Sequence, residues 1–233
     1  MTKLTLRPSK ERGHSQMGWL DSRFSFSFAD YHDPNHMGFR DLRVINDDHI
    51  EVGGGFPMHP HRDMEIVTYV IDGMLAHKDS IGTGSTIVPG EIQRMSAGSG
   101  ITHSEYNAGD TQLHLLQIWI IPSERGGAPS YSQKFIDDEA TTGKFGLIAS
   151  REGGEHAVDI KQNANIWLAR LGKGQATQFD LKPSHGAWAH IVRGQVEVDG
   201  QSLKTGDAVN WTEAGLTQFQ AGEDSEVLLF DMA

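Results

Sequence analysis

The stretch Gly53-Gly54-Gly55-Phe56-Pro57-Met58-His59-Pro60-His61-Arg62-Asp63-Met64-Glu65 places two histidines two residues apart behind a run of glycines. Further along, Gly98-Ser99-Gly100-Ile101-Thr102-His103-Ser104-Glu105-Tyr106-Asn107 repeats the spacing with His103 and Glu105. In a strand, side chains at i and i+2 leave the same face. Two such pairs on neighbouring strands would surround one point with three imidazoles and a carboxylate, a set that suits a divalent transition metal. A lone His-x-His is better read as surface or turn histidines satisfied by hydrogen bonds. Two pairs joined by a hairpin-rich segment favour the metal. Glu65, four residues past His61, is a competing carboxylate, sharing the face of His61 if the strand is unbroken.

Around these passages the chain reads as strands. Short apolar runs such as Phe24–Phe28, Leu42–Ile45, Ile66–Ile71, Leu113–Ile121, Ile166–Leu171, Ala189–Val192 and Glu226–Phe230 are separated by isolated glycines and prolines. No helical stripe of any length stands out. Glu65-Ile-Val-Thr-Tyr-Val-Ile-Asp-Gly73 overlays Gly186-Ala-Trp-Ala-His-Ile-Val-Arg-Gly194, both a run ending at a turn glycine. Pro89-Gly90-Glu91 and Thr205-Gly206-Asp207 follow in the same order, and Leu115-Leu116 and Leu228-Leu229 fall in the last strand of each copy. The expected fold is all-β: two tandem antiparallel β-barrels of jelly-roll type, residues 1–130 with the metal site and residues 131–233 without it. Ser123–Pro129 and Asp137–Lys144 read as connection. The second copy lacks the ligands: Asp180 and Lys182 overlay His59 and His61, and Gln218 overlays His103. His185 and His190 nearby read as structural.

Composition narrows the function. A net charge of −11 without basic runs argues against a nucleic-acid partner. Zero cysteines exclude disulfides, thiolate ligands and a cysteine nucleophile, so a metal must be held by nitrogen and oxygen. No apolar stretch is long enough for a membrane span, and the expected location is cytoplasmic. Gly53-Gly54-Gly55 lacks the spacing and lysine of a phosphate loop and reads as a tight turn. His77 and Asp79, again at i and i+2, suggest a turn or a supporting role. His14, His32 and His36 are expected at the mouth of the cavity, and Trp19, Phe24, Phe26 and Phe28 in the core.

Gly53, His59, His61, Glu65 and Gly73 resemble the first cupin motif, with one extra residue before the last glycine, and Gly100, His103 and Asn107 resemble the later one. Within the cupins the chain resembles the pirin family. The likeness runs through Arg12-Gly13-His14, Trp19-Leu20-Asp21-Ser22, Phe24-Ser25-Phe26, Asp33-Pro34 and Leu42-Arg43-Val44-Ile45-Asn46, then His59-Pro60-His61, Met95-Ser96-Ala97-Gly98 and Gly100–Glu105. It is dense in the first half and thin in the second.

The resemblance implies a bicupin whose ligands are His59, His61, His103 and Glu105, the carboxylate coming from the later motif. Glu65 would then stand behind the ligands and orient a histidine. One divalent metal per chain is implied, iron first, with nickel, manganese, cobalt, copper or zinc able to take its place. Bacterial pirins of this look resemble quercetin 2,3-dioxygenases, which open the central ring of a flavonol with dioxygen and release carbon monoxide. The implied partners are therefore an aromatic, flavonol-like small molecule and dioxygen, with Glu105 as catalytic base. The contrasting implication is a non-catalytic, metal-binding regulator acting through protein partners.

Overall fold

The computed structural model describes residues 3–233 and is built almost entirely of antiparallel strands. In chain order, β1 (Thr5–Arg7) precedes β2 (Gly13–Met17), β3 (Leu20–Phe24), β4 (Leu42–Ile50), β5 (Gly55–His61), β6 (Glu65–Asp72) and β7 (Leu75–Asp79). There follow β8 (Gly84–Ile87), β9 (Glu91–Ser96), β10 (Ile101–Asn107), β11 (Leu113–Ile120) and β12 (Ser130–Phe135). After a four-residue helix, α1 (Asp138–Thr141), come β13 (Gly146–Ser150), β14 (Val158–Asp159), β15 (Ala164–Leu171), β16 (Ala176–Leu181) and β17 (Gly186–Arg193). The chain ends with β18 (Gln195–Val198), β19 (Gln201–Lys204), β20 (Ala208–Trp211), β21 (Gly215–Ala221) and β22 (Ser225–Met232). No helix among the described residues is long and apolar enough to cross a membrane.

The chain forms two compact units, one of residues 13–135 with 152–162, the other of 1–12, 136–151 and 163–233. This differs from a single cut after residue 130. The first strand is the physical reason at one end: Thr5, Leu6 and Arg7 pair with Asn210, Val209 and Ala208 of β20. At the other, Arg94 of β9 holds Asp159, with its Nε donating to the Asp159 carbonyl at 2.6 Å.

The repeat is visible in the strand order. The first unit has a seven-stranded sheet, β12-β9-β6-β11-β4-β3-β2, and a four-stranded sheet, β5-β10-β7-β8. The second repeats the small sheet as β16-β21-β18-β19, and its large sheet contains β20-β17-β22-β15 where the first has β9-β6-β11-β4. The two turn glycines matched in sequence, Gly73 and Gly194, both have φ +85°, a left-handed conformation that glycine adopts without a Cβ penalty. Apolar side chains of the two sheets of each unit meet inside it. In the first, Leu20, Ile50, Val70 and Leu113 from the large sheet pack with Leu75 and Ile87 from the small one. In the second, Trp211, Val227 and Leu229 pack with Val198, Leu203 and Phe219. Each unit is thus a cupin-like antiparallel barrel, and the chain is a bicupin.

The Gly53–Gly55 run does two different things. Gly53 has φ +73° and makes the expected turn. Gly55 permits a close approach of strands: a Cβ there would lie 2.3 Å from the Glu105 carbonyl oxygen and 2.6 Å from Tyr106 Cα on β10. Gly55→Ala is therefore expected to force β5 off β10 and destabilise the protein by about 1–3 kcal/mol, the usual cost of overpacking. Gly84→Ala, where a Cβ meets open space, is the matched control. Urea midpoints of the two variants check this, and equal midpoints would show that the strands separate freely.

Candidate metal centre

The small sheet of the first unit brings the two motifs together. β5 and β10 are antiparallel neighbours, with His59 opposite His103 and His61 opposite Ile101. The register then shifts between His103 and Glu105, so that Glu105 stands opposite Phe56. On the other side of β10, His103 faces Asp79 and Glu105 faces His77. Donor atoms of His59, His61 and His103 lie within 4.8 Å of one another, and so do those of His77, His103 and Glu105. His103 belongs to both groups.

The state of these side chains fits a metal. His103 is buried, and neither of its ring nitrogens has a hydrogen-bond partner. A buried polar atom left without a partner is costly, so native structures rarely keep one without a reason. His59 Nδ1 donates to the Pro57 carbonyl at 2.8 Å, which leaves Nε2 as the nitrogen with a lone pair. Burial, reinforced by the neighbouring His59, pushes the His61 pKa down to about 4. Burial, then His59, His61 and His77, pushes that of His103 down to about 2. Both imidazoles are therefore neutral at physiological pH, as a ligand must be. Burial raises the carboxyl of Glu105 to about 7, against the opposing Gln117 hydrogen bond and with a further upward push from Asp48.

A second imidazole cluster shows the contrast. On β4 and β11, His114 Nε2 pairs with Asp47 at 2.7 Å, and His49 Nδ1 pairs with Gln112 at 3.1 Å. Each of these rings already has a hydrogen-bond partner, unlike His103.

Side chains behind the site support it: Gln117 was not singled out in the sequence, whereas His77 and Asp79 take the turn and supporting role expected of them. Gln117, the one amide within the apolar run of β11, donates from Nε2 to both oxygens of Glu105 at 3.0 and 3.1 Å. Its amide is oriented by Thr68, whose hydroxyl donates to Gln117 Oε1 at 3.0 Å. His77 is buried, with Nε2 donating to Asp79 at 3.2 Å. Asp79 in turn accepts the backbone N–H groups of Ile81 and Thr83, so it serves both the turn and the histidine.

Glu65 departs from expectation. The chain turns between β5 and β6, with Asp63 at φ +50°, so the strand from His61 is broken. Glu65 accepts hydrogen bonds from Ser96 Oγ at 2.8 Å and from the Lys161 N–H at 3.1 Å. It ties strands together and orients no histidine.

A cavity of about 560 Å³ opens beside the histidines. His59, His61 and Glu105 reach it, with Phe24, Phe28 and Trp119 on its walls. Phe24 is buried, as expected of the core, and also lines the cavity together with Phe28. Trp19 packs edge-on against Phe56, and Phe26 is buried. Of the three N-terminal histidines, His14 lines the cavity. His36 instead pairs with Asp33 at 2.6 Å, and His32 is exposed.

The pirin family model matches residues 5–120, and a quercetinase C-terminal cupin domain model matches residues 147–232. Quercetin 2,3-dioxygenase of Escherichia coli K12 is 45% identical over 229 residues, covering 97% of both chains. The chain belongs to the pirin family. A pirin-like protein of Caulobacter vibrioides is 40% identical over 97% of this pirin and 98% of its relative. The crystal structure of bacterial pirin YhhW from Escherichia coli in complex with nickel(II) superposes with a TM-score of 0.93, at 42% identity and 99% coverage of both chains.

The second barrel of this pirin carries other side chains at the corresponding points. Leu216 faces Asp180 and Gln218 faces Gln178, as Ile101 faces His61 and His103 faces His59. Gln178 and Asp180 therefore stand where His59 and His61 stand, rather than Asp180 and Lys182. The gap-free sequence overlay runs two residues out of step with the ladder. His185 pairs with Asp231 at 2.6 Å.

The buried carboxyls set a pH dependence. Burial lifts Asp48 from 3.8 to about 7, opposed by the Ser22 hydrogen bond and helped by Asp47. Glu105 rises from 4.5 to about 7. A raised carboxyl pKa stabilises the folded state fully below the unfolded value, and that contribution is lost as pH rises through the folded one. His61 and His103 act oppositely: their contribution is present above 6.5 and is lost as pH falls toward their lowered values. Metal-free protein is thus expected to lose stability as pH rises through about 7, and Glu105→Gln to flatten that loss. Thermal midpoints of metal-free wild type and variant across neutral pH check it. Parallel curves would mean that Glu105 is already ionised below neutral pH.

Proposed function

We propose that this pirin is a metal-dependent dioxygenase acting on flavonols of the quercetin type, with His59, His61, His103 and Glu105 holding one divalent transition metal per chain. The observation that carries the reading is a buried imidazole with no partner, His103, grouped with two more imidazoles beside an aromatic-walled cavity that Glu105 also lines. The name of the Escherichia coli relative supports the reaction, and the nickel(II) complex of YhhW supports a metal in the family.

A bound metal supplies Lewis acidity, which lowers the pKa of a hydroxyl brought to it. The protein's own residues do the rest. Glu105 takes the proton of the flavonol 3-hydroxyl, since it is the carboxylate that both lines the cavity and stands beside the histidines. Gln117, fixed by Thr68, holds both Glu105 oxygens in place at the cavity wall. Phe24, Phe28 and Trp119 seat the flat rings and keep water out. The volume is within the range of about 300–1,000 Å³ typical of small-molecule sites.

Glu105→Gln is expected to weaken metal retention and abolish turnover, since a neutral amide is a poorer ligand and no base. Glu65→Gln is expected to keep the metal and lose stability instead, because its contacts are Ser96 and the Lys161 N–H. Metal content by elemental analysis, with melting curves, separates the two. Loss of metal from Glu65→Gln alone would return the fourth ligand to Glu65.

Flavonols with a free 3-hydroxyl are expected to be consumed with dioxygen, and flavones lacking it to be left intact. Carbon monoxide should appear in step with substrate loss. Chelation should stop the reaction and a divalent ion restore it. Metal-replete protein that leaves flavonols untouched would overturn the proposal and favour a regulatory role through protein partners.

A further inference from the structure

The wall of the cavity that faces the histidines has polar groups that the metal centre does not use. β4 places Asn46 and Asp48, two residues apart, on the cavity face, and both are buried. Ser22, opposite Asp48 on β3, donates its hydroxyl to the Asp48 carboxyl. Asn46 stands opposite Gln117, yet Asn46 Oδ1 has no hydrogen-bond partner. Asp48 can accept several hydrogen bonds, and Ser22 supplies one. The wall therefore offers an unpartnered acceptor, Asn46 Oδ1, beside the Asp48 carboxyl, in a pocket that Phe24, Phe28 and Trp119 also line.

Resting on the proposed flavonol reading, we infer that Asn46 and Asp48 form a hydroxyl-recognising subsite, which selects aromatic substrates carrying a phenolic hydroxyl beyond the 3-hydroxyl. Such a hydroxyl supplies the donor that Asn46 Oδ1 lacks. It also both donates and accepts, so it satisfies the Asp48 carboxyl whether or not that group holds a proton; an ammonium group matches only the ionised form. Aromatic walls fix a flat ring, and the paired acceptors fix its rotation within the cavity. Asn46 and Asp48 are specificity residues here, distinct from the base Glu105.

The test is anaerobic binding to metal-loaded protein, so that turnover does not interfere. The matched probes are 3-hydroxyflavone, with the 3-hydroxyl alone, and quercetin, with further phenolic hydroxyls. Their ratio cancels any effect of a substitution on the metal or on Glu105, because both probes use the same 3-hydroxyl. Wild type is expected to prefer quercetin by about tenfold or more, the worth of one or two buried hydrogen bonds. Asp48→Leu should erase most of that preference, read as the ratio of the two affinities. Asp48→Asn, which keeps the shape, and Asn46→Leu should each erase part, so the measurement survives if Asp48→Leu fails to fold. Equal affinity of wild type for the two probes, or equal loss of both in the variants, would overturn the subsite while leaving the flavonol reading standing. Wild type that binds neither probe would remove both.

Discussion

The pairing of β5 with β10 is the constraint on which the rest of the site depends. Antiparallel register puts His59 directly across from His103, and the strand period of two puts His61 on the same side as His59. One register shift between His103 and Glu105 then re-aims the strand, so that Glu105 meets Gln117 across the barrel. Bulges of this kind increase local twist and recur beside functional sites because they turn a side chain without ending the ladder. Gly55 completes the arrangement from below, since any side chain there would run into the Glu105 backbone. The geometry of these side chains is thus a property of two backbones held at close quarters.

Burial does the chemical tuning. The same removal from water that makes His61 and His103 poor bases makes Glu105 and Asp48 weak acids. Both shifts favour the neutral forms, so the metal-free site holds little charge and tolerates the apolar barrel around it. A divalent cation reverses this balance for Glu105, because an adjacent positive charge favours the carboxylate. Gln117 suits both states, since its Nε2–H bonds to Glu105 serve a carboxyl or a carboxylate.

Much of this was legible in the sequence, and the parts that were not share a cause. Period-two spacing singled out His59, His61, His103 and Glu105 because strand geometry is local, and the structure groups the three imidazoles and sets Glu105 with His77 and His103. The tandem repeat was legible because turn glycines such as Gly73 and Gly194 answer a backbone requirement, φ +85° in both, that few residues meet. Glu65 was misplaced because its facing depends on the turn at Asp63, and a one-residue change of direction re-sorts every side chain after it. Gln117 depends on long-range register, that of β11 against β6. A polar residue inside an apolar run was the available signal for Gln117. The two-residue slip in the second copy has the same origin, since only the ladder fixes which residues face each other.

The two barrels also separate what the fold requires from what the chemistry requires. Both keep the four-stranded order, the turn glycine and an apolar interior. At the points of His59, His61 and His103 the second has Gln178, Asp180 and Gln218, and Gln218 donates to Gln178 at 3.2 Å. That amide pair occupies the ladder position where the first barrel has the facing imidazoles of His59 and His103. The scaffold is indifferent to the exchange, because a cross-strand pair needs only compatible size and hydrogen bonding. A metal centre is not, because it needs lone pairs left unpartnered at burial, which only a bound ion repays. His103, with both ring nitrogens unpartnered inside a barrel that could have held an amide there, is the residue whose presence the fold alone does not explain.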